Sequence, residues 1–386
     1  MVNIANPGLN TGPRGHALPH AHTSPFTAHR LITALVAAST GLMALATTAQ
    51  ANPKMVVDVK SGKVIAHEEA FRKWYPASLT KLMTAYIAFS AMKSGKISPE
   101  TEVVFSKYAA DQPASKMYFK PGQKLTMDSA LKLLLIKSAN DVAVAIAERL
   151  GGTTENFVAQ MNAQAARLGM SSTRFVNPNG LPGKGQYTTA RDLAVLALIL
   201  KREFPEYAGY FSLEGVTTGK KNYPNYNMLV GRFDGADGMK TGFICASGFN
   251  QVSSATRNGR SVISVVLGAD SLGGRTDASA DLLQMGLTAA PAAGTSIASL
   301  APYGVGQDVV TDISAQICNP KAQKVRSEGR DEAGRMIIHS PYVQEMTRPP
   351  QYSFAGLIPG TETVAANDTK SATMANIPIP IPRPSF

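Results

Sequence analysis

The sequence predicts an α+β fold. A mostly antiparallel sheet is built from strands at both ends of one domain, with a helical block inserted between them. Three observations carry this expectation. A β-rich hairpin pattern opens the domain at residues 55–69. Apolar residues at helical spacing dominate from about 126 to 205. From about 237 the period changes, giving two β-rich runs separated by Asn258-Gly259, the strongest short hairpin signal.

Each element has a local reason. In "MVVDVKSGKVIAHEE", Val56, Val57 and Val59 lead into a Ser61-Gly62 turn, and Val64 and Ile65 follow. The next apolar run, Leu79, Leu82, Met83, Tyr86 and Phe89, recurs every three to four residues and predicts a helix entered at Pro76 and left at Gly95. "TMDSALKLLLIK" starts at a Thr126 cap, is broken by "SAND", and resumes as "VAVAIAERLGG". "ENFVAQMNAQAARLG" is amphipathic, and "NPNGLPGKG" reads as loop. In "TTARDLAVLALILKREF" Thr189 stands three residues before Asp192, a capping-box pattern. "GMKTGFICAS" predicts a strand beside the Asn258-Gly259 hairpin, and "RTDASADLLQMGLTAA" a closing helix.

Four segments follow. Residues 1–51 hold Arg14 and Arg30 but no Lys, Asp or Glu, then the apolar run "LITALVAASTGLMALATTAQA" ending Ala49-Gln50-Ala51. That layout predicts a secretory signal cleaved after Ala51, or an uncleaved anchor, and hence a place in the periplasm or cell envelope. The domain itself spans 52–294. Residues 295–344 form a poorly defined extension. Residues 345–386 end in "ANIPIPIPRPSF", whose alternating prolines favour extended polyproline structure, and are expected to be disordered or loosely docked. No basic amphipathic helix at the C-terminus suggests a membrane anchor there.

Composition narrows the chemistry. Hydrophobic residues make up 44% and charged residues 17% of the 386, which suits a globular protein rather than a disordered or multi-span one. The leader holds only two of the 38 basic residues, against 27 acidic ones, so the remainder stays basic. No basic stripe interleaved with aromatics points to nucleic acid; weak attraction to an anionic polymer is the alternative. Cys245 and Cys318 are too far apart in sequence for a C-x-x-C motif. An oxidising compartment would permit them to pair, but two free, partly buried thiols are the expectation.

A hydrolytic serine needs a base, usually histidine. His16, His20, His22 and His29 lie in the leader, leaving His67 and His339. Either could serve as the base if the fold brought it close, although most lone histidines do nothing catalytic; two in such places do not suggest a zinc site, and no metal or organic cofactor is implied. Lysine can replace histidine. Ser78 and Lys81 are three apart at the head of an apolar helix, so both side chains lie on one face. Burial would lower the ammonium pKa and free the amine to take the serine proton. The helix N-terminus would bind a developing oxyanion and further disfavour the charged lysine. The same spacing at Ser129 and Lys132 lies inside a helix and reads as a plain surface pair.

Ser78-x-x-Lys81 gains meaning from Ser138-Ala139-Asn140 at a helix break and Lys240-Thr241-Gly242 on a predicted strand. Alone, these would read as a helix-terminating turn and a glycine-marked strand end. Together they supply a nucleophile–base pair, a hydroxyl and amide, and a cation beside a glycine that admits a substrate backbone. The chain resembles the low-molecular-weight penicillin-binding proteins, specifically the serine-type D-alanyl-D-alanine carboxypeptidases of peptidase family S11. The resemblance covers about 52–290. It includes "VVDVKSGKVI", "YPASLTKLMTAYIA", "KSANDVAVAIAE", "RLGMSSTRFVNPNGL", "YTTARDLAVLA", "DGMKTGF" and "SGFNQVSSATRNGRSVISVVLGA".

That resemblance implies a β-lactamase/transpeptidase-like fold and a penicillin-inhibited acyl-enzyme on peptidoglycan stem peptides ending in D-Ala-D-Ala. Ser78 would be the nucleophile, Lys81 the base and Ser138 a proton relay. Asn140 would hold the substrate backbone, and Lys240, Thr241 and Arg275 the terminal carboxylate. Gly242 would admit the backbone, and the N–H groups of Ser78 and Phe243 would form the oxyanion hole. Phe243-Ile244 departs from the polar residue and threonine found after K-T-G in many relatives. A β-lactamase, a D,D-endopeptidase and a non-catalytic cell-wall binder are the alternatives. None of Glu148, Glu155, Glu203, Glu206 and Glu214 has the E-x-x-L-N context that a class A β-lactamase would carry.

Overall fold

The computed structural model describes residues 52–290, 294–331, 334 and 336–361. The signal-or-anchor segment 1–51 and the proline-rich stretch 362–386 lie outside the described residues. At the centre is a five-stranded antiparallel sheet of order β2-β1-β9-β8-β7. Its strands are β1 (Lys54–Asp58), β2 (Val64–Glu68), β7 (Ala236–Ile244), β8 (Gly248–Arg257) and β9 (Arg260–Ala269). The first and last parts of the domain thus share one sheet, as the sequence predicts, with β1 paired directly to β9. Asn258 and Gly259 turn between β8 and β9 with φ of 51° and 75°, the two positive values a tight hairpin turn requires.

Strand alternation divides the sheet into two faces. Ile263, Val265 and Leu267 face the main core, shared with the helical block. Val262 lies in a second cluster with Ala280 and Leu283 of the closing helix, Leu272–Thr288. That helix is labelled α6 below. The helical block contains α1 (Lys81–Lys93), α2 (Met127–Lys132), α3 (Asn140–Gly151), α4 (Thr154–Arg167) and α5 (Ala190–Glu203). The Thr126 and Thr189 hydroxyls accept from the N–H groups of Ser129 and Asp192 and cap α2 and α5.

Two features depart from periodicity. A 3₁₀ turn, Ala77–Thr80, carries Ser78, and the α-helix proper begins only at Lys81. From Lys81 to Phe89 every α1 residue is buried, so this helix runs through the core rather than along its surface. The second break follows α2. A π-helical turn, Leu133–Lys137, ends at Ser138, whose φ of 61° is left-handed. Non-glycine residues held there store strain typical of functional turns.

The C-terminal segments are more ordered than their composition suggests. Thr311 bridges alongside Trp74, and the Ile313 N–H donates to the Ala246 carbonyl. This brings the Cys245 and Cys318 Cα atoms to 5.6 Å, and the two form a disulfide. The expectation of two free thiols is therefore corrected. Their separation of 73 residues carries no sign of the return path that joins them. The expectation of a loose tail from 345 is corrected for 345–361. The Arg348 guanidinium pairs with Glu214, and Ala355 is fully buried. Strand β10 (Tyr352–Phe354) pairs in parallel with β5 (Gly215–Thr217), whose other neighbour is β6 (Asn222–Pro224). A further hairpin joins β3 (Glu102–Val104) to β4 (Lys124–Thr126). No described helix is long and apolar enough to cross a membrane.

Candidate active site

The site forms where the 3₁₀ turn, the Ser138 turn and edge strand β7 meet. Asn250 of β8 fixes one side of this junction. Its amide donates to the Tyr75 carbonyl (2.9 Å), while its oxygen accepts from the Gly268 N–H (2.9 Å). The sheet therefore grips the chain just ahead of Ser78. Gly242 of β7 completes the approach: a Cβ placed there would lie 3.0 Å from the Ser78 nitrogen and 3.1 Å from the Pro76 oxygen. On the other side Gly180, with φ of +84°, faces Ala77, and a Cβ there would fall 1.8 Å from the Ala77 oxygen. Only glycine lets both chains press on the serine turn.

Lys81 is fully buried. Its Nζ lies 3.0 Å from Ser78 Oγ, 2.7 Å from Asn140 Oδ1 and 2.5 Å from the Asn179 carbonyl oxygen. No carboxylate pairs with it among the described ion pairs. A neutral amine fits this arrangement. In that form two N–H groups would donate to Asn140 and Asn179 and leave the lone pair for the partly exposed Ser78 hydroxyl. Burial holds the Lys81 ammonium well below its ordinary range, and the Lys240 charge adds to the effect; Asp141 opposes them.

The third motif closes onto the second. Lys240 Nζ donates to Ser138 Oγ (2.9 Å) and to the Thr241 carbonyl (2.8 Å). Burial, then the Arg275 and Lys137 charges, push its pKa down to about 7. Arg275 lies on α6 and is only 2% exposed. Burial lowers its pKa to about 9, so it stays charged at neutral pH. Its Nη2 donates to the Tyr226 carbonyl (3.2 Å), while its buried Nε has no partner. Lys240, bonded to Ser138, and Arg275, with an unpartnered buried Nε, thus lie near enough to repel each other and suit an anionic group.

Thr241 is buried on the same strand, and Phe243 packs on Phe249 with ring centroids 4.3 Å apart and the rings tilted by 36°. Asn140 Oδ1 accepts from Lys81 Nζ and its amide donates to the Pro113 carbonyl (3.0 Å), so it supports the lysine and keeps one amide hydrogen for a further acceptor. His67 sits on β2, 2.6 Å from the Tyr303 hydroxyl, and His339 is exposed on the C-terminal extension; neither bonds to Ser78. The second S-x-x-K behaves as a helix pair, with Lys132 bonded to Asp128 (2.7 Å), although Ser129 is buried.

The profile of peptidase family S11, D-alanyl-D-alanine carboxypeptidase, matches residues 40–271. The chain belongs to that family. Among curated S11 relatives, DacC of Escherichia coli is 39% identical over 222 residues, covering 56% of each chain. DacF of Bacillus subtilis is 34% identical and covers 57% of this chain and 58% of its own. The chain thus spans somewhat over half the length of these curated relatives. Among solved structures, the D-alanyl-D-alanine carboxypeptidase DacD of Francisella tularensis superposes with a TM-score of 0.60 at 34% identity, covering 62% of this chain and 70% of that one. Penicillin-binding protein D2 of Listeria monocytogenes, in its cefotaxime-bound form, gives 0.57 at 32% identity, covering 62% and 98%. This S11 chain therefore has the penicillin-binding, transpeptidase-type α+β fold.

Sequence reasoning missed three parts of the S11 site. The Asn179 carbonyl is a backbone acceptor, which no residue identity encodes. Its only trace is "NPNG", whose Asn177 side chain accepts from the Gly180 N–H (2.7 Å) and shapes the loop. Asp141 accepts from the Met117, Tyr118 and Val142 N–H groups and fixes the loop beside Asn140. Lys137 has no counterpart in the three motifs.

Proposed function

We propose that this chain is a serine-type D-Ala-D-Ala carboxypeptidase that removes the terminal D-alanine from peptidoglycan stem peptides. One observation carries the reading: a buried lysine amine with no carboxylate partner among the described ion pairs, 3.0 Å from the Ser78 hydroxyl, beside a second buried lysine, Lys240, bonded to Ser138. Ser78 Oγ attacks the carbonyl carbon of the penultimate residue, and its proton passes to Lys81 Nζ. The N–H groups of Ser78 and Phe243 hold the oxyanion. The C–N bond then breaks, and Ser138 relays a proton to the departing amine. Lys240, Thr241 and Arg275 hold the terminal carboxylate. Water cleaves the resulting ester and restores Ser78.

β-Lactams would acylate Ser78 in the same way, and the relatives' names support this extension. The leader sequence supports export and action at the cell envelope. The glutamates between Asn140 and Lys240 do not support β-lactamase turnover. Glu148 accepts from Ser106, Glu214 pairs with Arg348 and Glu206 with Lys93, and none of the five bonds to Ser78 or Lys81. The test is fluorescent-penicillin labelling with mass mapping, alongside D-alanine release from diacetyl-Lys-D-Ala-D-Ala. The expected result is one slowly released adduct on Ser78, none in Ser78→Ala, and measurable D-alanine. Rapid steady hydrolysis of a chromogenic cephalosporin would favour a β-lactamase instead. No label and no D-alanine would leave only a cell-wall binder.

A further inference from the structure

Lys137 is the last residue of the π-helical turn, directly before Ser138. It is buried, and no carboxylate pairs with it among the described residues. Its Nζ donates to Ser115 Oγ and lies 3.5 Å from the Tyr226 hydroxyl. The rings of Tyr223 and Tyr226 flank it, with centroids 5.8 and 5.7 Å away. Ser115 Oγ donates in turn to the Lys137 carbonyl (3.3 Å), and the Ser115 carbonyl accepts from the Asn140 N–H (2.7 Å). The Tyr226 carbonyl is the acceptor for Arg275. One ammonium therefore ties the 113–118 loop and the 223–227 segment to the turn that carries Ser138 and Asn140.

The charges around it are one-sided. Lys81 comes from α1, Lys240 from β7 and Arg275 from α6. Asp141 on α3 is the nearby acid, and three backbone N–H groups already occupy its carboxylate. Lys116, on the same loop as Ser115, donates to the Ala110 carbonyl. Lys240 and Arg275 carry positive charge beside the neutral Lys81 amine, and Lys137 adds another. Buried like charges disfavour one another until a proton leaves or an anion arrives.

We propose that Lys137 is a positioning residue for the Ser78 reaction, holding the Ser115 loop and Tyr226 around the Ser138 turn while its charge bears on Lys81 and Lys240. Both of those lysines sit below their ordinary range chiefly through burial; the Lys137 charge adds a lesser push on each, which Asp141 opposes at Lys81. The role rests on the acyl-enzyme reading above. Because Lys137 favours the neutral forms of both, its removal raises the pH at which each loses its proton.

The experiment measures the second-order rate of penicillin acylation against pH for the full chain, with Lys137→Met, Lys137→Arg and Ser115→Ala. In Lys137→Met both limbs are expected to move to higher pH by at least about half a unit. Lys137→Arg should leave them in place. Ser115→Ala, which removes the tether but keeps the charge, should lower the rate without moving the limbs. A Lys137→Met profile that is lowered uniformly, with unmoved limbs, overturns the proposal. So does failure of both Lys137→Met and Lys137→Gln to fold, since that marks a structural residue. A wild type that neither acylates nor releases D-alanine instead sinks the Ser78 reading on which the proposal stands.

Discussion

Asn140 Oδ1 accepts a hydrogen bond from Lys81 Nζ at 2.7 Å, so the middle motif of this S11 chain holds the base supplied by the first. The third motif completes the circuit through the 2.9 Å bond from Lys240 to Ser138. Two side-chain bonds thus join three stretches that are remote in sequence.

Asn140→Asp should convert this support into inhibition. A carboxylate on Lys81 favours the ammonium and removes the lone pair that Ser78 needs. Loss of a general base commonly lowers a rate by about 10²–10⁴-fold, and a fall in that range is expected near pH 7. Partial recovery at higher pH would distinguish a protonated base from a collapsed site. The measurement is the acylation rate by a fluorescent penicillin across pH. An unchanged rate at pH 7 would remove Asn140 from the base's support.

The pH profile of peptide hydrolysis should fall on both sides. Lys81 must be neutral to accept the serine proton, so kcat/KM drops as acid protonates it. Lys240 must be charged to hold a carboxylate. Its pKa in the empty site is about 7, so kcat/KM drops as pH rises beyond that. Lys240→Arg keeps a cation at higher pH, and the alkaline decline should move up by more than a unit. A decline that stays in place in Lys240→Arg would assign that limb to another group.

Gly180→Ala should damage the site from behind. The new methyl would fall 1.8 Å from the Ala77 oxygen, and the position has a φ of +84°. Either the loop or the serine turn must move. A destabilisation of roughly 2–4 kcal/mol is expected from overpacking and backbone strain together. Thermal melting and penicillin labelling read the two consequences. A variant with wild-type melting and labelling would show that this contact does not position Ser78.

Reduction of the Cys245–Cys318 bond, or Cys318→Ser, should destabilise the fold by about 2–4 kcal/mol through release of a long loop. The bond lies just beyond β7 and anchors the segment that bridges to Trp74. Differential scanning fluorimetry with and without dithiothreitol checks this. Equal melting points in both conditions would show that the extension is held by packing alone.

The S-x-x-K spacing, the helix break at "SAN" and K-T-G on a strand were all legible because each is a local pattern whose side chains must lie close along the chain. The sheet order was legible from where β-rich runs stand and from Asn258-Gly259. Three kinds of feature were not. The Asn179 carbonyl is backbone and leaves no residue signature. The role of Lys137 depends on Ser115 and Tyr226, which reach it from distant segments. Burial of α1 on every side reflects the helices packed around it rather than its own periodicity.

By itself, the sequence determined the S-x-x-K, S-x-N and K-T-G motifs, their order and the α+β pattern, because these depend on residue type and short-range spacing. Only the tertiary structure decided that Asn140 supports the base, that Arg275 is buried with an unused donor, that the cysteines pair, and that β10 joins a sheet. Those properties come from long-range contacts and from removal of water, and both exist only once separated segments have packed together.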